Sequence, residues 1–99
     1  MTALVALPQF ESDLLDIWLT IAVDRPSAAD AMVDRIWERC RALIDHPQIG
    51  PSRVDIAEDC RQLTIGSYLV LYRIAGDAVE LVRAVHGRRN LTTVFPEAG

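Results

Sequence analysis

The chain has 99 residues, 51% of them hydrophobic and 24% charged, which is typical of one small globular domain. This composition excludes a disordered chain, which would have fewer apolar residues and a larger net charge. No apolar run is long enough to span a bilayer, and the N-terminus lacks the basic start and small-residue cleavage site of a signal peptide. We therefore expect one domain over residues 1–99, located in the cytoplasm.

Charge is unevenly distributed along the chain. Every basic residue is an arginine, and the formal net charge is −4. Residues 1–60 carry a net charge of −6, whereas residues 61–99 carry +2. An acidic or phosphate-bearing partner is therefore expected to meet the C-terminal part of the chain. The overall acidity argues against general nucleic-acid binding, which favours a strongly basic domain.

A strand and two amphipathic helices are predicted for the first half. The strand covers Thr2–Leu7 and ends at Pro8, after which apolar residues recur at helical spacing. A second helix begins near Pro26, and the two helices form a hairpin. Asp13 and Asp16 are interpreted as part of a solvated helix face. The apolar stripes are Phe10, Leu14, Ile17, Trp18 and Ile21 in the first helix, and Ala29, Met32, Val33, Ile36, Trp37, Cys40, Leu43 and Ile44 in the second.

Three antiparallel strands are predicted for the second half, where the apolar period falls to two. They cover about Cys60–Ile65, Tyr68–Ala75 and Val79–His86, and two-residue glycine turns at 66–67 and 76–77 join them. The expected fold is therefore α+β, with an N-terminal strand and a helical hairpin packed on a three- to four-stranded antiparallel sheet. Residues 87–99 are expected to form a loosely held tail.

The turns assign each strand residue to one of two sheet faces. The turn at 66–67 predicts the cross-strand pairs Ile65–Tyr68, Thr64–Leu69 and Gln62–Leu71. The turn at 76–77 predicts Ala75–Ala78, Arg73–Glu80, Leu71–Val82 and Leu69–Ala84. One face is rich in large apolar residues and is expected to receive the helices. The other carries a small apolar patch, which is either a partner surface or a partly covered sheet back. The patch consists of Leu69, Leu71, Val82 and Ala84.

Few side chains indicate catalysis or metal binding, and no cofactor is expected. Cys40 and Cys60 are interpreted as buried free thiols, and neither His46 nor His86 has a second ligand at the spacing of a metal site. His86 among arginines could serve as a general base, but a structural or recognition role is favoured. Three arginines within residues 83–90 suit a carboxylate or phosphate surface instead.

Six short segments occur in an order and spacing that together make a specific match: Asp13–Trp18, Pro26–Ala29, His46–Gly50, Arg61–Leu63, Gly66–Arg73 and Val82–Arg89. In this combination the chain resembles the ParE toxins of the RelE/ParE superfamily, the toxin halves of bacterial type II toxin–antitoxin pairs. The resemblance implies a helical hairpin on an antiparallel sheet. It also implies inhibition of DNA gyrase by binding rather than by catalysis, so the chain is not expected to be an enzyme.

The resemblance also implies the partners. A ParD-like antitoxin is expected to neutralise the chain in a hetero-oligomer such as a heterotetramer, and DNA is expected to be met only through the antitoxin or gyrase. No membrane partner is expected. A protein-interaction domain without toxicity is one alternative.

RelE-like members of the superfamily, which are ribosome-dependent mRNA endonucleases, provide the other alternative. They use lysines, an arginine and a C-terminal acid–base side chain. At the matching positions this chain has Gln62, Thr64, Leu69 and Phe95, which neither stabilise a pentacovalent phosphate nor transfer a proton. The nuclease is therefore disfavoured, although His86 keeps it open.

The expected contact residues form two groups. Target binding, and hence toxicity, is assigned to Arg83, His86, Arg88 and Arg89. Arg83 is alternatively a structural arginine at the edge of the core. Antitoxin binding is assigned to Leu69, Leu71, Val82, Trp18 and Trp37. The two tryptophans are alternatively part of the core of the hairpin.

Overall fold

The computed structural model describes residues 2–89 and residue 91, and it has the predicted α+β fold. The elements are β1 (Ala3–Ala6), α1 (Pro8–Ala22), α2 (Pro26–Arg41), a 3-10 turn (Ala42–Ile44), β2 (Arg61–Ile65), β3 (Tyr68–Ala75) and β4 (Ala78–His86). Within the described residues, neither helix has the length and hydropathy needed to cross a membrane.

The helical hairpin packs on one face of the sheet. Pro8 and Pro26 each begin a helix, where the missing N–H of proline costs no hydrogen bond. The apolar stripes then turn toward the sheet and form one core, as the spacing predicts. The buried residues of this core are Phe10, Leu14, Ile17, Ile36, Cys40, Leu43, Leu63, Ile65, Val70, Tyr72, Val79, Leu81 and Ala84.

The sheet is mixed rather than antiparallel throughout. Its strand order is β1-β4-β3-β2, and β1 runs parallel to β4, with Ala3 beside Ala78 and Ala6 beside Leu81. The prediction of an antiparallel sheet is therefore wrong for β1. Tight turns dictate the direction of β2, β3 and β4, whereas the long connection from β1 to β4 permits either direction.

The two glycine turns determine the pairing close to them. Gly66 has φ of 59° and Gly76 has φ of 62°, in the left-handed region that these turns require. Arg73 and Glu80 also form an ion pair at 2.6 Å. The predicted pairs confirmed here are Ile65–Tyr68, Thr64–Leu69, Gln62–Leu71, Ala75–Ala78 and Arg73–Glu80.

A register shift then changes the pairing of β3 with β4. It lies between Leu71 and Tyr72 in β3. Beyond it, the predicted pairs Leu71–Val82 and Leu69–Ala84 are wrong, and the observed pairs are Leu71–Arg83 and Leu69–Val85. Because one extra residue reverses the faces of the residues that follow, Ala84 joins the core under the helices and Val85 lies opposite Leu69.

Candidate functional site

Asp13 and Arg83 form a buried ion pair that joins α1 to β4. The Asp13 carboxylate accepts hydrogen bonds from Arg83 Nε at 2.7 Å, from Arg83 Nη2 at 3.1 Å and from the backbone N–H of Ala84 at 2.9 Å. Ala84 lies beyond the end of β1, whose last partner in β4 is Leu81. Asp13 therefore supplies the acceptor that a longer strand would have supplied. With 5% exposure, Asp13 is not the solvated acid that the sequence predicts.

The structure separates the three arginines that the sequence places together. The side chain of Arg83 is 12% exposed and is bound to Asp13, which favours its interpretation as a structural arginine. Arg88 and Arg89 are both exposed. Across residues 2–89 and 91, no carboxylate forms an ion pair with either of them. Arg88 and Arg89 thus remain as the basic candidates for target binding.

Backbone hydrogen bonds hold the segment after β4 as far as residue 89. Gly87 N–H donates to the Ser67 carbonyl at 2.9 Å, and Arg89 N–H donates to the His86 carbonyl at 3.0 Å. His86 Nδ1 also accepts the N–H of Arg88 at 3.2 Å. These bonds define the direction in which the two arginines leave the sheet. Residues 90 and 92–99 of the predicted tail lie outside the described residues.

A cleft of about 270 Å³ lies between α1 and the end of β4. The imidazole of His86 packs edge-on against the ring of Tyr68, with ring centroids 5.6 Å apart. Because Nδ1 accepts a backbone N–H, the neutral imidazole carries its proton on Nε2. That N–H and the Arg89 guanidinium are donors available to an anionic group. The lining of the cleft includes Asp16, Ile17, Thr20, Tyr68, His86 and Arg89.

The Thr20 hydroxyl in the cleft and the two thiols of the described residues are hydrogen-bonded or buried. The hydroxyl of Thr20, in the cleft, donates to the Asp16 carbonyl at 2.8 Å. Over the described ranges, no cluster of three or more His, Cys, Asp or Glu could hold a metal ion. Cys40 and Cys60 are buried free thiols, as predicted. Burial raises the pKa of Cys40 to about 12 and that of Cys60 to about 11, so neither is a thiolate at neutral pH.

The apolar patch predicted on the second sheet face is covered. Leu69, Leu71 and Val82 are all buried, and the last two share a second core with Cys60. Of the two alternatives for this patch, the covered sheet back is the observed one. Two of the four covering residues come from the irregular segment before β2, whose sequence has no periodicity to indicate where it packs. The covering residues are Leu7, Ile56, Ala57 and Leu91.

Residues of two of the six matching segments, Arg61–Leu63 and Gly66–Arg73, hold the loop at 47–50 against the sheet. The Tyr72 hydroxyl donates to the Pro47 carbonyl at 2.9 Å and accepts the Gly50 N–H at 3.0 Å. Arg61 Nη1 donates to the carbonyls of Gln48 at 3.1 Å and Gly50 at 2.7 Å. A Cβ added at Gly50 would lie 2.7 Å from the Tyr72 oxygen, so only glycine fits without a shift. These motif residues therefore serve the fold.

Comparison with known proteins identifies the family. Residues 4–91 match the family model described as "ParE toxin of type II toxin-antitoxin system, parDE". The chain belongs to this family. It is similar to Toxin ParE3 of Caulobacter vibrioides, with 33% identity over 63 residues. The similar region covers 64% of this chain and 63% of that ParE protein.

A solved structure has the same ParE-type fold. It is described as "Chromosomal ParDE TA system from P. aeruginosa" and is 22% identical to this chain, with a TM-score of 0.78. The superposition covers 87% of this chain and 96% of the other. The likeness confirms the arrangement of helices on a sheet that the sequence predicts.

Three of the positions compared with RelE-like proteins, Gln62, Thr64 and Leu69, share one face of the sheet. Gln62 Nε2 donates to Thr64 Oγ1 at 3.1 Å, and Thr64 pairs with Leu69. Sequence reasoning missed Arg53, which donates from Nη1 to Gln62 Oε1. Two further hydrogen bonds, at 2.9 Å from Nε and 2.8 Å from Nη2, tie this guanidinium to Asp55. The arginine is therefore already engaged by a carboxylate.

Trp18 and Trp37 are half-buried at the edge of the hairpin. Trp18 Nε1 donates to the Asp30 carboxylate at 2.8 Å and so links the two helices. Trp37 packs edge-on against Phe10, with ring centroids 5.6 Å apart. Each tryptophan contributes to the hairpin and keeps part of its surface in solvent. Phe95, the remaining position in the comparison with RelE-like proteins, lies outside the described residues.

Proposed function

We propose that this chain is the toxin of a ParDE-type pair, that it inhibits DNA gyrase by binding, and that a ParD-like antitoxin neutralises it. Membership of the ParE family over residues 4–91 supports this class of function. The mode of action rests on one observation, the exposed pair Arg88 and Arg89 beside His86. The proposed toxin is a single cytoplasmic domain that needs no cofactor and meets DNA only through gyrase or the antitoxin.

The basic pair is suited to a partner rather than to folding. An exposed ion pair contributes only about 0–1 kcal/mol to stability, and these two arginines have no such pair in the described structure. On a partner's carboxylates or phosphates, each guanidinium can donate forked, charge-assisted hydrogen bonds. The backbone bonds of residues 87–89 hold the segment in place, which lowers the entropy cost of binding.

The test is the double variant Arg88→Ala with Arg89→Ala. Its melting temperature should lie within a few degrees of the parent's, and it should lose growth inhibition and inhibition of gyrase supercoiling. Antitoxin binding should be mostly retained. A matched control, Arg25→Ala with Arg41→Ala, removes two exposed arginines from the hairpin and should inhibit like the parent. Full inhibition by the Arg88/Arg89 variant would refute the assignment and move the effector surface to the helices.

A ribosome-dependent mRNA endonuclease is the second candidate, because His86, Tyr68 and Arg89 line one cleft. These side chains are not expected to cleave RNA. The purified protein should therefore leave mRNA intact on translating ribosomes. Position-specific cleavage that disappears in His86→Ala would establish the nuclease in place of the binding mechanism.

The neighbouring genes separate a toxin from a general interaction domain. We expect a short upstream reading frame with a ribbon-helix-helix pattern and an amphipathic C-terminal helix. A gene without such a neighbour would favour the interaction domain.

A further inference from the structure

The outer face of α1 carries a row of large apolar side chains that no described residue covers. Leu15 is 58% exposed, Leu19 is 50% exposed and Val23, directly after the helix, is 83% exposed. We call these three residues the α1 row. Their spacing of four places them one above another, away from the buried side that contains Phe10 and Ile17. The four-residue spacing of these side chains is visible in the sequence, beside the core stripe that predicts the buried face.

The second helix of the hairpin has no comparable row. The large apolar residues of α2 are buried or half-buried, and its outward positions include Asp30, Ala31, Asp34 and Glu38. Two helices of similar length in one hairpin therefore present different surfaces. A single exposed leucine is ordinary, but a contiguous apolar row on a helix indicates an interaction surface.

Charges beside the α1 row indicate which partner fits. Glu11 and Asp16 lie near the row, Asp24 follows its end, and all three are exposed. The helix itself contains no basic residue. If the α1 rows of two copies packed together, the acids beside one row would face the acids beside the other. Repulsion between these like charges disfavours such a dimer. A helix with lysines or arginines beside its apolar face would match both the row and its acidic border.

We infer that the α1 row is the docking surface for a basic amphipathic helix of another protein. On the function proposed above, that helix belongs to the antitoxin. The row extends over about 12 Å at the helical rise of 1.5 Å per residue, which matches about two turns of a partner helix. Such a partner presents anchors at positions i, i+3 or i+4, and i+7. The α1 row replaces Leu69, Leu71 and Val82 as the proposed antitoxin contact, because those three residues are buried.

The test uses Leu15→Arg with Leu19→Arg. This variant removes two apolar contacts and places positive charge against the basic partner helix. Calorimetry with the purified ParD-like antitoxin should show an affinity at least about a hundredfold lower than the parent's, as expected for the loss of two interface anchors. The control Ala31→Arg adds a charge to the outward face of α2 and should bind like the parent. The parent's affinity should also fall with salt, because the acidic border contributes.

Several outcomes would overturn the inference. A folded Leu15/Leu19 variant that binds the antitoxin as tightly as the parent would place docking elsewhere. A parental homodimer that dissociates in this variant would assign the row to a second copy. If the arginines unfold the helix, the neutral pair Leu15→Gln with Leu19→Gln takes their place, with the same requirement of weakened binding. Gyrase inhibition should persist in all folded variants. If the parent protein itself does not inhibit gyrase, the proposed target is wrong, whereas the inference about the α1 row is judged by antitoxin binding.

Discussion

Asp13→Asn tests whether the buried ion pair holds α1 on β4. The asparagine side-chain oxygen can still accept the Ala84 N–H, but the neutral amide cannot balance the charge of Arg83. The variant therefore removes the charge pair and retains the bond to the backbone. Asp13→Ala removes both interactions, so the two variants together separate their contributions.

The expected loss is large for a domain of this size. Removing one partner of a buried ion pair costs about 3–5 kcal/mol, because the remaining buried charge loses the carboxylate that balances it. Total stability is only about 5–15 kcal/mol in such domains. At roughly 4–8 °C per kcal/mol, Asp13→Asn should lower the melting temperature by at least about 12 °C. Asp13→Ala should cost about 1–3 kcal/mol more, because the Ala84 N–H loses its acceptor.

Urea unfolding followed by circular dichroism measures both losses. The matched control is Asp16→Asn, the same chemical change on the same helix at an exposed position, which should alter stability by no more than about 0.5 kcal/mol. If Asp13→Asn is as stable as Asp16→Asn, the ion pair contributes nothing measurable and the reasoning is refuted.

The close packing of the loop at 47–50 predicts that Gly50→Ala lowers the melting temperature well below that of Gly87→Ala, whose added Cβ would have its nearest neighbour at 3.5 Å. Equal melting temperatures for the two variants would contradict this packing. Burial raises the pKa of Cys40 to about 12 and that of Cys60 to about 11, above the ordinary value of 9.0. The stability that the protonated thiols contribute is therefore complete below about pH 9 and is lost as the pH rises through these values. The free energy of unfolding should therefore fall from pH 9 upward, and the native thiols should react slowly with a disulfide reagent at about pH 8; rapid reaction would show that they are accessible.

The contrast between Arg73 and Arg83 shows how far pattern alone can predict contacts. The pair of Arg73 with Glu80 lies close to the turn at Gly76, so counting from the turn predicts it correctly. The same counting fails at Arg83, because the register shift lies between this residue and the turn. Nothing in the local sequence of β4 marks that shift.

The candidate site was likewise predictable only in part. The exposure of Arg88 and Arg89 follows from their position after the last strand and a glycine. The burial of Leu71 and Val82 does not, since it depends on Ile56 and Ala57 in an irregular segment and on no repeating pattern.

Elements with local causes can be predicted from the residues alone: two helices from their apolar spacing, three strands from their alternation, and two turns from their glycines. Three features depend instead on the folded chain: the direction of β1, the cover over the back of the sheet, and the exposure of the α1 row. The tertiary structure also converted Asp13 from an expected solvent-facing acid into a buried partner of Arg83, 70 positions away. Such contacts depend on which groups the folded chain leaves without a hydrogen-bond partner, and that is a property of the assembled sheet rather than of any single segment.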